Sequence, residues 1–414
     1  MNTPDAEDDG IYITGLGSIS ALGADPETVA KAYRTGHTRL RPREHGQQMT
    51  PVGALPDAAE RQLGAFLAER SRYEDLDRSV HLALYAAHCA TRRAGWTDGQ
   101  TGGVVIGSSR GATGLWEKFH RDYLRNPDGK TAPLTSPTTT LGNISNWVAQ
   151  ELGASGPAGE ISSTCSTSTY AIGTAMAWLR SGMARRFVAG GAEAPLTDFT
   201  IAQMRALRIY SRDKEAEHPC RPCAQDAGRR NTMVLGEGSC VLALERLDPD
   251  EVARREERAR TDRSGQTPGV PLCRIVGAGF SIEPVQTNTS LSEEGDALRR
   301  SMRQALRRSR LEGVDVIVTH TPGTALGDRA ELTAIRRLFG SRQPILTSNK
   351  WLLGHTLGAS GALSIEYAAY ILRTQDWVAY PYPVTFDNAP RQIRTVMVNS
   401  VGFGGNAGSL ILTR

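Results

Sequence analysis

Two stretches of this chain begin alike and two end alike, and that doubling restricts the fold more than any single motif. Residues 11–17, IYITGLG, and residues 271–280, PLCRIVGAGF, each read as a short buried strand ending in a glycine turn. Residues 236–247, GEGSCVLALERL, and 404–414, GGNAGSLILTR, each lead from glycines into an alternating or apolar strand. Residues 1–247 and 272–414 therefore read as two copies of one unit. Between them, 248–271 is rich in Arg and Glu and closes on Gly and Pro, which reads as a solvated charged helix and a connector. Within each copy the apolar runs GGVVIGSS, RRFVAGGAEA, VDVIVTHT and TVMVNSVGF alternate with helix-like stretches. That alternation predicts an α/β protein with largely parallel, buried strands.

Composition excludes several classes. With 414 residues, 39% of them hydrophobic, the chain can bury one large core or two modest ones. A net charge of +4 gives no argument for nucleic acid. The first ten residues, MNTPDAEDDG, are acidic and polar, the opposite of a secretory signal. No apolar run approaches the ~20 residues that span a bilayer. Six cysteines in so long a chain do not form a disulfide framework, so a reduced, cytoplasmic setting is expected. CRPC at 220–223 has the spacing of a redox pair or half a zinc site, but nothing nearby completes a tetrahedral set. It reads as a loop carrying two unrelated thiols, and no metal is expected.

The glycine motifs divide quickly. GFGGNA at 402–407 lies too near the chain end for a dinucleotide fold, since no helix or ribose-binding acid follows. GSSRG at 107–111 follows a strand and precedes a helix-like run, as a hydrolase nucleophile elbow would. Ser109 with His320 or His355 would then make a serine hydrolase or acyltransferase.

A different nucleophile stands in ISSTCSTSTYAIG. Cys165 sits among hydroxyl side chains where a buried helix begins. Unpaired N–H groups and the helix dipole there are expected to lower its thiol below the usual ~8.5. The second half supplies partners. A buried strand runs straight into His320, while Lys350 and His355 lie in SNKWLLGHTLGASG ahead of a small-residue helix. Each stands at a strand end or a helix start, where catalytic groups collect in α/β folds.

At these residues the chain resembles the β-ketoacyl-acyl carrier protein synthases, the ketosynthases of fatty acid and polyketide assembly. YITGLGSISALG, STCSTS, AGGAEAPLT, HTPGTALGD, SNKWLLGHTLGASG and NSVGFGGNAGSLIL are similar to that family's motifs and keep its order. The resemblance implies a thiolase fold, five αβαβα layers built from two duplicated α/β halves. It implies that Cys165 takes an acyl chain as a thioester and that His320 and His355 hold the malonyl thioester oxygen during decarboxylation. Backbone N–H groups of Cys165 and Phe403 would form the oxyanion hole, with Phe403 gating between Gly402 and Gly404. Lys350 would orient the second histidine loop, and Asp328 and Glu331 would support from behind. No cofactor is implied beyond the 4'-phosphopantetheine of a partner acyl carrier protein. The family is dimeric, so a homodimer or a heterodimer with a chain-length-factor-like ketosynthase is implied, with no nucleic acid or membrane partner. A non-catalytic chain-length partner is the other reading within the family, but such chains lack the cysteine.

Three departures qualify the resemblance. Ser364 stands nine residues beyond His355 where many members carry glutamate, so the lysine is expected to lean on Glu331. PCAQDAGRRNTMVLGEG replaces a shorter run with an aspartate, in the manner of polyene-forming ketosynthases. Arg110 falls at the acyl pocket where members place an aliphatic residue, with Ile201 a further pocket candidate; the pocket should then be polar, conjugated or completed by a partner. Arg205, Arg208, Arg212 and Lys214, and Arg299, Arg300, Arg303, Arg307 and Arg308, are candidate docking cations for an acidic carrier protein.

Overall fold

The computed structural model describes residues 10–414 apart from 130, 214–215, 229, 263–266, 285–291 and 387–391, so the candidate Lys214 lies outside the described residues. Five strands of the first half are β1 (Gly10–Ser20), β2 (Val104–Gly107), β3 (Ala158–Gly159), β4 (Arg186–Glu193) and β5 (Gly238–Leu247). Five more follow: β6 (Cys273–Ile282), β7 (Val316–Val318), β8 (Ile345–Thr347), β9 (Thr395–Gly402) and β10 (Asn406–Thr413). They pair in the order β3-β2-β4-β5-β1 and, from the other end, β8-β7-β9-β10-β6. Each strand of the first half thus has its counterpart five places on. A short antiparallel pairing, Tyr12 with Arg274 and Ile13 with Cys273, joins β1 to β6.

The strand directions differ from the expectation of a largely parallel sheet. β2 runs parallel to β3 and β4, and β7 to β8 and β9. The pairs β1–β5, β4–β5, β6–β10 and β9–β10 are antiparallel. The cause is local for β9 and β10, whose connection is only residues 403–405, too short for a crossover.

Helices complete the layers. α1 (Arg78–Arg93) and α2 (Asn143–Glu151) cover one outer face, and α4 (Asp296–Ser309) and α5 (Ala325–Phe339) the other. Between the sheets lie α3 (Thr167–Arg180) and α6 (Ser360–Thr374), whose apolar residues belong to one core with both sheets. A helix enclosed on all sides must be apolar or small all round, and SGALSIEYAAYIL is so apart from Glu366, whose carboxyl accepts from Ser18 and Tyr33. α3 is buried on one side and keeps a part-exposed stripe at Tyr170, Thr174, Ala177 and Trp178. Five layers result, centred on this helix pair. Among the described residues no helix is long and apolar enough to cross a membrane.

The glycines of the opening strands do not form turns. β1 continues through Gly15 and Gly17 to Ser20, and β6 through Gly277 and Gly279 to Ile282. A Cβ at Gly15 or Gly17 would collide with the Ala90 or Ala86 carbonyl of α1. One at Gly277 or Gly279 would meet the Ala305 or Ser301 carbonyl of α4. The glycines let a helix backbone rest directly on a strand, and both halves use the device. The connector also departs from expectation. Its helix, Pro249–Thr261, is not wholly solvated: Arg255 is buried and donates at 3.0 Å to Glu245 of β5.

Gly17→Ala and Gly279→Ala should each destabilise the protein by about 1–3 kcal/mol, the range for overpacking a close contact. Urea denaturation checks this, and a loss below ~0.5 kcal/mol at both sites would show that the helices have room to move.

Candidate active site

Cys165 stands two residues ahead of α3 on a tight hydroxyl-bonded turn. Ser163 N donates to Thr167 Oγ1 at 2.8 Å, and that hydroxyl donates to the Thr164 carbonyl at 2.7 Å. Ser166 Oγ donates to the Ser163 carbonyl at 2.7 Å. The hydroxyls flanking the cysteine therefore fold the turn that presents it. Thr164 has φ +50°, a strained value for a β-branched residue. Its Oγ1 donates to the Phe403 carbonyl at 3.1 Å, which ties the turn to the end of β9. A Cβ on Gly402 would collide with Thr164 Oγ1 and come within 2.9 Å of Cys165 N. Only glycine lets the two loops approach.

The second half brings its residues in from strand ends. His320 follows β7, and its N–H donates to Glu331 Oε1 at 3.0 Å while Thr321 N donates to Oε2 at 2.8 Å. Asn399 Nδ2 of β9 donates to the same carboxylate at 3.0 Å. Asp328 accepts from Gly323 N at 3.1 Å and Cys223 N at 2.8 Å, joining the loop after His320 to the CRPC loop. His355 is held through its main chain: its N–H donates to Val234 O at 2.7 Å and its carbonyl accepts from Gly236 N at 3.0 Å. The His320 and His355 rings lie 5.2 Å apart, centroid to centroid, edge to face. Lys350, fully buried, donates from Nζ to the Thr319 carbonyl at 3.4 Å.

Burial sets the protonation states. It holds both imidazoles well below the ordinary histidine range, and the Lys350 charge adds to this, joined at His320 by His355. Both rings are neutral at pH 7. Burial pushes Lys350 down to about 8, with Glu331 the strongest group opposing the fall. Burial pushes Asp328 up to about 7 and also raises Glu331. The expected lowering of the Cys165 thiol does not occur: burial pushes it up to about 12, the Glu193 carboxyl adds to the rise, and Lys350 opposes. The helix proper begins only at Thr167, and the thiol packs against the apolar cluster of Ile201, Met204, Met233 and Leu357.

One cavity of about 150 Å³ collects Cys165, His320, His355, Arg110, Gly402 and Phe403. Lys350, Asp328 and Glu331 stand behind its wall. Gly404, at φ +86°, belongs to the turn after Phe403 and does not line it. Ile201 does not line it either and packs in the apolar cluster behind the thiol. Met204, Ile209, Met233, Leu357 and Val401 supply the apolar wall and were missed in the sequence, where MRALRI attracts notice for its arginines. Glu193 was also missed. It ends β4 and accepts from Ser108 Oγ at 2.7 Å, Arg110 N at 3.2 Å and, by a short contact, Ser109 N.

The remaining candidates separate in the same way. Ser109 lines the cavity, but its N–H and hydroxyl face Glu193, so GSSRG is a carboxylate-bound loop and not a nucleophile elbow. Cys220 and Cys223 are buried free thiols. Arg208 and Arg212 are exposed beside the wall residues Met204 and Ile209, and Arg205 bonds Thr50 Oγ1. On α4, which contributes nothing to the cavity, Arg299 pairs with Asp296, Arg300 with Ser281 and Ile282, and Arg308 with the Ala278 carbonyl. Arg303 and Arg307 are exposed.

Two topologically matched halves meeting over a thiol and a histidine pair place the chain in the thiolase-fold class. The model of the β-ketoacyl synthase N-terminal domain matches residues 8–250, and that of the C-terminal domain matches residues 272–380. The chain belongs to the β-ketoacyl synthase family. It is 27% identical, over 98% of both chains, to the 3-oxoacyl-[acyl-carrier-protein] synthase 2 of Staphylococcus aureus strain COL. Its fold is similar to that of the ishigamide ketosynthase/chain length factor, with TM-score 0.80, 23% identity and coverage of 98% and 99%. It is equally similar to AntDE:AntF, a type II acyl-carrier protein complexed with its ketosynthase bound to the hexaketide (TM-score 0.80, 22% identity, coverage 98% and 100%).

Because a thiol near 12 exposes its thiolate only at high pH, alkylation of Cys165 by iodoacetamide should accelerate about tenfold per pH unit from 6.5 to 9.5. Peptide mass at Cys165 reads the rate. A plateau below pH 8 would show that the resting site lowers the thiol after all.

Proposed function

We propose that this chain is the catalytic subunit of a type II ketosynthase, joining malonyl units to a chain held on Cys165 in polyketide (polyene) or fatty acid assembly. One observation carries the reading. A thiol shares a cavity with two neutral imidazoles whose Nδ1 atoms are buried and have no hydrogen-bond partner among the described residues. Structural histidines are normally satisfied.

The steps balance without a metal or redox partner. The Cys165 thiol passes its proton to a neutral imidazole, and its sulfur attacks the carrier-bound acyl carbonyl. The carrier C–S bond breaks, and the departing pantetheine thiol takes the proton. Malonyl carrier then enters, and His320 and His355 donate to its thioester oxygen as carbon dioxide leaves and charge gathers there. Neutral rings donate without adding a second cation beside Lys350. The resulting enolate carbon attacks the acyl-Cys165 carbonyl, a carbon–carbon bond forms, the S–C bond breaks, and the departing thiolate takes a proton from water. The N–H groups of Cys165 and Phe403 take the oxyanion in this scheme, with Gly402 and Gly404 as the hinges of a Phe403 gate. Lys350, Asp328 and Glu331 position the histidine loops. The two matched halves, 1–247 and 272–414 with 248–271 between, act together, since neither carries the thiol and the imidazoles alone.

The chain uses no cofactor of its own in this scheme; phosphopantetheine arrives on an acyl carrier protein, with Arg205, Arg208 and Arg212 beside the cavity wall as its contacts. A second subunit, either a copy or a chain-length-factor-like ketosynthase, completes the tunnel. Trp116, Leu124, Leu134 and Leu141, each more than half exposed, offer it an apolar surface.

Cys165→Ala should abolish acyl loading and condensation while leaving malonyl decarboxylation measurable. His320→Ala or His355→Ala should slow decarboxylation roughly 100-fold or more. Intact mass of the carrier and carbon dioxide release read the two steps. Decarboxylation unchanged in the Cys165→Ala, His320→Ala double variant would instead favour a passive chain-length subunit.

A further inference from the structure

We infer that Arg110 selects acyl chains bearing an acceptor oxygen, such as a keto group, over hydrocarbon chains of equal length. The inference rests on the reading that Cys165 carries the chain. Around Arg110 the cavity wall is mostly apolar, made by Met204, Ile209, Met233, Leu357, Val401 and Phe403, with Ser109, Thr164, Thr324 and the two histidines as its uncharged polar groups. With both imidazoles neutral, Arg110 is the one lining residue with a permanent charge.

Its guanidinium is held but not satisfied. Nη2 donates to Gln203 Oε1 at 2.5 Å, and Nε is buried without a partner. Among the described residues no carboxylate pairs with it. Glu193, the nearest acid in the hydrogen-bond network, spends its contact on the Arg110 main chain, 3.2 Å from N to Oε1. Anchored at the backbone and at one terminal nitrogen, the planar fork keeps further donors for the cavity. A buried donor left unmade is costly, and a site built around such a group rejects the analogue lacking its acceptor far better than an apolar pocket rejects an added oxygen. A methylene chain covers the spare terminal N–H donors of the fork without pairing them and packs hydrocarbon against a cation. A carbonyl oxygen removes both penalties.

The test uses the full-length protein with octanoyl-, 3-, 5- and 7-oxooctanoyl- and octa-2,4,6-trienoyl-pantetheine thioesters, reading the rate of acyl adduct formation at Cys165 by mass. At least one oxo chain should load about 10-fold or more faster than octanoyl, the gain of a charge-assisted hydrogen bond. That ratio should fall toward 1 in Arg110→Met, which keeps the Glu193 contact because it is made by the main chain. Equal loading of oxo and octanoyl chains by the native protein, preference for the trienoyl chain, or a ratio unchanged in folded Arg110→Met would overturn the inference while leaving the ketosynthase reading intact. Failure of every thioester to acylate Cys165 would overturn both.

Discussion

The site depends on a few main-chain hydrogen bonds that cross between the halves. Residues 232–236, from the first half, bind both histidine loops of the second: Thr232 N to Gly323 O at 2.7 Å, His355 N to Val234 O at 2.7 Å, and Gly236 N to His355 O at 3.0 Å. Gly354, at φ +84°, allows the approach, since a Cβ there would lie within 3.0 Å of the Leu235 carbonyl. On the opposite side Thr164 ties the cysteine turn to Phe403. Backbone-to-backbone bonds fix position without spending the side chains, which leaves Cys165, His320 and His355 free to line the cavity.

Desolvation then gives these groups their character. The same low-dielectric surroundings raise the thiol and the carboxyls and lower the imidazoles and Lys350, so every group moves toward its uncharged form. A neutral thiol beside a neutral imidazole creates no charge until substrate arrives. Lys350 and Glu331 moderate each other through their opposite charges while both are buried. The Glu331 carboxylate meanwhile closes the His320 loop with three donors, so one acid serves both electrostatics and loop geometry.

Much of this is legible in the sequence. Cys165, His320 and His355 stood out because each is framed by small or hydroxyl residues, which is what close loop approach requires, and the matched strand motifs announced the doubling. Strand direction was less legible: apolar runs look alike in either direction, and the short 403–405 link decides only one pair. GLG and GAG read as turns because the reason for them, a helix carbonyl lying on the strand, is tertiary. Ile201 looked like a pocket residue by resemblance, yet it packs one layer behind the thiol. The raised thiol was invisible for the same reason, since a helix start is a local feature and a surrounding apolar cluster is not.

The bare backbone contacts of Gly15, Gly17, Gly277 and Gly279 with the outer helices divide the molecule's tolerance for change. Where carbonyl rests on strand there is no side-chain cushion to repack, so the outer shell behaves as a stiff frame. The cavity lining has the opposite property: Met204 and Met233 are unbranched and adaptable, and Leu357 packs with them in a small cluster apart from the outer helices. If the chain rides on Cys165 as proposed, change in the substrate it accepts falls to this inner wall, while the architecture that brings sulfur and imidazoles to one cavity stays fixed.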